Sequence, residues 1–154
     1  MMRSCLLMIL TDFSACHIPE AAAIEALCFS EPWTESGLSL FTREGGMGVA
    51  CVTEDGRLAA YACMVYVLDE GEIVTVATHP DFRRQGRARG ALRQLCKAAS
   101  ECGIVTLTLE VRASNTAARS LYEAEGFCVA GLRPGFYAHP REDAVVMQKK
   151  TEVD

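Results

Sequence analysis

Between the turn signal at Asp69-Glu70-Gly71 and Arg112 the chain runs strand, helix, strand, and that order restricts the fold more than any other feature. Beyond Gly86, the residues Ala88, Ala91, Leu92, Leu95 and Ala99 fall at i, i+3, i+4, i+7 and i+11, one apolar stripe of a helix that ends near Gly103. In VTLTLEVR, Leu107, Leu109 and Val111 alternate with Thr106, Thr108, Glu110 and Arg112, the period-two pattern of a strand. Two strands joined through a helix pair in parallel, and the helix lays its stripe on their sheet. Upstream, GVACVTEDGRLAAYACMVYVLDEGEIVTVATHP reads as three strands with turns at Glu54-Asp55-Gly56 and Asp69-Glu70-Gly71, an antiparallel meander. The sheet is therefore mixed.

Helical spacing recurs in IPEAAAIEAL, with Pro19 suited to a first turn. The next segment breaks at Pro32 and restarts near Thr34, leaving Phe29, Pro32 and Trp33, the one tryptophan, on a connection. A further helix is expected from Thr116, capped by Asn115 or Ser114 and stopped by Gly126, before FCVAGL and AVVMQKK close the sheet. With 154 residues, half of them hydrophobic, and no repeat or low-complexity linker, the expectation is one α/β domain over 1–154, a mixed sheet flanked by helices.

Several classes of function lose ground on composition. No run approaches the roughly 18 apolar residues of a membrane span, and the apolar stretch in MMRSCLLMIL is interrupted at Thr11 and Asp12, so neither membrane nor signal peptide is expected. Cys5, Cys16, Cys28, Cys51, Cys63, Cys96, Cys102 and Cys128 form no C-x-x-C pair and mostly sit in apolar segments, which reads as reduced core thiols of a cytoplasmic protein. His17, His79 and His139 pair with no cysteine at ligand spacing, so no metal is expected. A net charge of -5 argues against nucleic acid as partner and suits a cationic substrate.

Against that acidic background, Arg83, Arg84, Arg87, Arg89 and Arg93 fall within eleven residues, around Gly86 and at the start of a helix. A helix N-terminus carries unpartnered N–H groups and partial positive charge. With Gly86 leaving the backbone bare and Ala88 nearly so, the loop is suited to a phosphate or pyrophosphate. It matches neither G-x-x-x-x-G-K-[ST] nor a G-x-G-x-x-G after a first strand.

The loop RRQGRA, Arg83 to Ala88, fits the [Q/R]-x-x-G-x-[G/A] signature of the GNAT N-acetyltransferases, and the resemblance covers almost the whole chain. EIVTVATHPDF resembles the family's splayed central strand. LEVRASNTAARSLYEAEGF, FYAHPREDAVVM, the Pro32-Trp33 pair and RLAAYA are similar to the bacterial ribosomal-protein alanine N-acetyltransferases of the RimI type. The resemblance implies an acyl-CoA N-acyltransferase fold, its mostly antiparallel sheet splayed at the cofactor site, and acetyl-coenzyme A as cosubstrate. It implies transfer to a protein N-terminus, that of a ribosomal protein.

Residue by residue, the resemblance places the backbone of Val76, Ala77 and Thr78 at the acetyl carbonyl, with Thr75 and Thr78 departing from the usual asparagine and valine. Arg84, Gln85, Gly86, Arg87, Ala88 and Arg89 would wrap the pyrophosphate, and Asn115 would contact the cofactor as well as cap a helix. Glu110 matches the general base and Tyr122 the acid that protonates the departing thiolate. An α-ammonium has a reference pKa of about 7.7 to 8.0 against about 10.4 for lysine, so a carboxylate has the smaller task with an N-terminus. Acceptor peptides would lie between Glu31 to Trp33 and the loop Phe136 to His139, with Trp33 and Tyr137 as contacts. Cys28 and Cys128 lack a histidine partner and read as packing residues, which favours direct transfer in a ternary complex.

Two rival readings remain open on sequence. One is an acetyltransferase for lysine side chains or a small amine, since one fold serves many acceptors. The other is a non-catalytic acetyl-coenzyme A binding module, against which stand Glu110 and Tyr122.

Overall fold

A computed structural model describes residues 7–151; Cys5 and the start of MMRSCLLMIL lie outside the described residues. The elements are β1 (Ile9–Asp12), α1 (Ile18–Cys28), α2 (Glu35–Leu38), β2 (Gly46–Val52), β3 (Leu58–Val67), β4 (Glu70–Thr78), α3 (Arg87–Glu101), β5 (Thr106–Arg112), α4 (Thr116–Ala124), β6 (Cys128–Ala138) and β7 (Arg141–Lys150). Seven strands form one sheet in the order β1-β2-β3-β4-β5-β7-β6. Every neighbouring pair is antiparallel except β4 and β5, which the α3 crossover makes parallel. The mixed, mostly antiparallel sheet flanked by helices is as expected.

Helices cover both faces. On one face α3 buries Ala91, Leu92, Leu95 and Ala99 against Ala62 and Met64 of β3 and Leu107 and Leu109 of β5. On the other face Ala21 and Ile24 of α1 and Leu38 of α2 meet Tyr61 and Cys63 of β3. Adjacent residues of one strand thus serve two cores, as strand alternation requires. The α3 stripe differs from expectation at its start, because Ala88 is only partly buried and the side chain turned inward is that of Arg87.

The helix boundaries follow local chemistry. Pro19 sits in the first turn of α1. Thr34 caps α2 by accepting from the Gly37 amide, and Asn115, not Ser114, caps α4 by accepting from the Ala118 amide at 3.1 Å. Gly86, Gly103 and Gly126 all take positive φ at helix ends.

Four expectations are corrected. The short strand β1 was not anticipated. The second hairpin turns at Leu68 and Asp69, since Val67 pairs with Glu70, and Leu68 takes φ 56. Gly71 lies within β4 instead, where a side chain would strike Met64 and come within 2.9 Å of Leu107, so close packing and not turning requires glycine there. Of the described cysteines, Cys51, Cys63 and Cys96 are buried and Cys28 half-buried, but Cys16, Cys102 and Cys128 are exposed, so the reading of the cysteines as core residues fails for those three and Cys128 is not a packing residue. Phe136 to Ala138 extend β6 as strand, leaving only His139 and Pro140 as the turn into β7, because the two strands pair out to Ala138 and Arg141.

The feature that opens the sheet is in β4. Cys63 lies opposite Thr75 and Met64 opposite Ile73, which leaves Val74 as an extra residue. Such a bulge bends its strand. On the other edge β4 pairs with β5 only from Glu70 to Glu72, so from Ile73 onward its outer edge has no strand partner. The central strands separate into a V.

Candidate active site

A cleft of about 640 Å³ fills the V. Its walls are β4 from Glu72 to Val76, β5 from Glu110 to Arg112, and Asn115, Ala118 and Tyr122 of α4. Phe29, Ser30, Glu31 and Trp33 of the α1–α2 connection close one side of the mouth, and Phe136 and Tyr137 of β6 close the other. Six of the residues singled out in the sequence are thereby brought together: Val76, Glu110, Asn115, Tyr122, Trp33 and Tyr137. Ala77 and Thr78 continue β4 beyond the cleft, where the Thr78 carbonyl accepts from the Cys28 thiol at 3.4 Å.

The unpartnered edge of β4 matters chemically. Backbone N–H groups cannot be buried without an acceptor, and those facing the V are available to a ligand. Opposite them, Glu110 projects from the β5 face shared with Thr106, Thr108 and Arg112, while Leu107, Leu109 and Val111 are buried. Its carboxylate lies 3.4 Å from the Arg133 guanidinium and is 14% exposed. Tyr122 is buried against Phe127 with ring centres 6.0 Å apart, and that burial, with a smaller push from Tyr137, raises its pKa well above the ordinary phenol. Tyr122 therefore keeps its proton at neutral pH. Burial and then the Glu110 charge also raise the pKa of Glu72, across the cleft on β4.

At the head of α3, Arg84 and Gly86 both take left-handed backbone conformations, φ 62 and φ 74. No protein atom lies within 4 Å of where a Gly86 side chain would begin, so the backbone there faces open space. This bare loop, with the first N–H groups of α3 behind it, fits a pyrophosphate. The arginine cluster contributes less charge than its spacing suggests. Arg87 is buried, its Nε donating to Gln85 Oε1 at 2.8 Å and its guanidinium lying against Phe82, so the side chains of both Arg87 and Gln85 are turned to each other. Arg89 and Arg93 are drawn to Glu125 at the end of α4, at 3.1 and 2.8 Å. Arg83 and Arg84 remain exposed beside Gly86. Where residues Arg87 to Arg89 act on an anion, their main chain is what the geometry offers.

Two site residues escaped sequence reading. Glu25, only 1% exposed, accepts from the Tyr61 hydroxyl at 2.6 Å, the Thr75 hydroxyl at 2.7 Å and the Trp33 amide at 3.1 Å. It ties α1, the α1–α2 connection, β3 and β4 together beneath the cleft. Its one visible signal is a glutamate at i+4 from Ala21 on the apolar side of α1. Arg112 was assigned no role, although it shares a strand face with Glu110. Thr75, which departs from the asparagine the resemblance leads one to expect, spends its hydroxyl on Glu25.

Among the described residues no helix is long and apolar enough to cross a membrane, and no three His, Cys, Asp or Glu side chains are grouped to hold a metal ion.

Residues 18–127 match the acetyltransferase (GNAT) family. The chain is 36% identical over 140 residues to the [ribosomal protein bS18]-alanine N-acetyltransferase of Escherichia coli strain K12, covering 90% of this chain and 94% of that one. To the protein of the same name from Salmonella typhimurium strain LT2 it is 40% identical over 137 residues, covering 87% and 91%. The crystal structure of the ribosomal-protein-S18-alanine N-acetyltransferase from Escherichia coli superposes with a TM-score of 0.87 at 34% identity, covering 96% of each chain.

Proposed function

The chain belongs to the acetyltransferase (GNAT) family, and from that premise we propose that it acetylates the N-terminal alanine of a small-subunit ribosomal protein, bS18, using acetyl-coenzyme A. The relatives named above carry that activity in their names and align over most of the chain. The observation that carries the reading to this chain is the cleft itself, in which a carboxylate, Glu110, and a buried phenol, Tyr122, stand with an unpaired strand edge between two aromatic-bearing connections. We take the whole chain to act as one domain.

Acetyl-coenzyme A, when bound, supplies a thioester. The bare backbone at Gly86 and the start of α3 would hold its pyrophosphate, Asn115 would contact it, and the open edge of β4 at Val76, the one of the three expected residues that lines the cleft, would donate to the acetyl oxygen. Glu110, directly or through one water, takes a proton from the α-ammonium and leaves a neutral amine. That amine would attack the acetyl carbon, the carbon–sulfur bond would break with Tyr122 giving its proton to the departing sulfur, and the second proton shed by the acetylated nitrogen would return, directly or through water, to the Tyr122 phenolate. Burial keeps Tyr122 protonated until the sulfur departs. Trp33 and Tyr137 would flank the peptide end. Cys28, the cysteine on the cleft wall, spends its thiol on the Thr78 carbonyl, which supports direct transfer without an acyl-enzyme.

The test follows thiol release with three acceptors: a peptide beginning Ala-Arg with a free amine, the same peptide blocked at its N-terminus and carrying an internal lysine, and a polyamine. The first should be consumed in strong preference, with the acetyl group located on the α-amine by mass spectrometry. Acetyl on lysine, or consumption of the polyamine alone, would overturn the acceptor; binding of acetyl-coenzyme A with no turnover of any acceptor would leave a binding module.

A further inference from the structure

Arg112 stands two residues beyond Glu110 on the same face of β5, with its side chain 21% exposed. Its guanidinium reaches both connections that border the cleft mouth. Toward the β6–β7 hairpin, Nη1 donates to the Pro140 carbonyl at 2.9 Å and Nη2 to the His139 carbonyl at 3.0 Å, while Cζ lies over the Tyr137 ring, 4.3 Å from its centre. Toward the α1–α2 connection, Nη2 donates to the Ser30 hydroxyl at 3.3 Å. The Glu142 carboxylate, 3.4 Å from Nη1, balances the charge and is itself fixed by the Ser114 amide at 2.6 Å.

We propose that Arg112 is a positioning residue for the acceptor: it clips the α1–α2 connection to the β6–β7 hairpin and so sets the width of the mouth through which the acceptor's end must pass. This rests on the reading of Trp33 and Tyr137 as the acceptor's flanks. The chemistry of the side chain suits the task. A rigid planar fork with several donors can hold acceptors that belong to separate segments, whereas an ammonium is a single point of charge on a flexible stem. What distinguishes Arg112 is that its acceptors come from two segments otherwise distant in sequence and that it rides on the strand carrying the base. The mouth is thus registered to Glu110.

The test uses the full chain with Arg112→Ala, Arg112→Lys and Ser30→Ala, assayed with the Ala-Arg peptide. For Arg112→Ala the expected result is a peptide KM raised roughly tenfold or more, with kcat within about threefold and acetyl-coenzyme A Kd within about twofold of the parent. Arg112→Lys should recover part of the loss. Ser30→Ala should raise KM a few-fold in the parent and have no further effect beside Arg112→Ala, the non-additivity of partners in one contact. Hydrogen exchange at the amides of residues 29–31, read without any acceptor, should quicken in Arg112→Ala. A folded Arg112→Ala with unchanged KM, KM, kcat and Kd all shifted alike, or additive effects of the two alanine variants would overturn the clip. Should Arg112→Ala fail to fold, Ser30→Ala decides: a raised KM supports the clip and an unchanged KM overturns it. If the parent leaves the peptide untouched, the acceptor reading falls, and the exchange measurement still decides the clip, unchanged rates overturning it.

Discussion

Arg133 on β6 reaches over the intervening strand β7 to place its guanidinium 3.4 Å from the carboxylate of Glu110 on β5. In the free protein the carboxylate proposed as the base therefore faces a cation of the protein's own, more than half exposed. With its arginine open to water, the attraction in this pair is partly screened.

Glu110→Gln keeps the shape of that contact and removes the proposed base. Turnover of the Ala-Arg peptide should fall by roughly 10² to 10⁴, with peptide affinity nearly kept. The deficit should be largest near neutral pH and shrink as rising pH deprotonates the amine unaided. Steady-state rates of both forms across that pH range check it; a constant ratio would remove Glu110 from the proton path.

Tyr122→Phe retains the ring that packs edge-on against Phe127 and deletes the hydroxyl alone. The expected outcome is a turnover lower by about 10² or more, with little change in acetyl-coenzyme A affinity. Turnover within a factor of about three of the parent would reduce Tyr122 to a packing residue.

At Gly86 the backbone sits at φ 74 and no protein atom crowds the missing side chain. Gly86→Val therefore meets no steric clash in the free protein beyond the strain of its own dihedral, about 1 to 3 kcal/mol. Any larger effect must appear on ligand binding, where charge-assisted bonds are worth roughly 1.5 to 3 kcal/mol each. Calorimetry of the folded variant should find acetyl-coenzyme A binding sharply weakened, and unchanged affinity would detach the loop from the pyrophosphate.

Hydrogen bonds from Arg93, ahead of those from Arg89, hold the pKa of Glu125 below the usual carboxylate range. A group whose folded pKa is depressed stabilises the fold above its unfolded pKa and loses that contribution as pH falls through the folded value. Parent stability should thus decline on the acid side of the carboxylate range, and Glu125→Gln should flatten that decline while lowering stability at neutral pH. Denaturant midpoints of both proteins at a series of pH values would reveal it; parallel curves would contradict it.

Much of this architecture is legible in the order of residues. The alternation in TLTLEVR, the stripe from Ala91 to Ala99 and the glycines at 86, 103 and 126 are local signals, and each became the element it suggested. What escaped depends on partners far away in the chain. The inward turn of Arg87 depends on Cys51 and Phe82, the diversion of Arg89 and Arg93 on Glu125, and the buried carboxylate of Glu25 on Tyr61 and Thr75. Leu68 at positive φ gave no warning, because the two-residue hairpin is fixed by the pairing of Val67 with Glu70. Glu110, Tyr122, Trp33 and Tyr137 were found by resemblance, and their convergence on one cleft is a property of the folded chain.

The extra residue at Val74 has a consequence at the scale of the gene. One residue, and so one codon, is unmatched between β3 and β4 in the same strand that parts from β5 after Glu72 and leaves an unpaired margin in the middle of the sheet. Were β4 paired with β5 along its whole length, as it is only from Glu70 to Glu72, the middle of the sheet would have no unpaired margin to offer. The cleft thus lies beside a position where the gene spells one residue more on β4 than β3 can match.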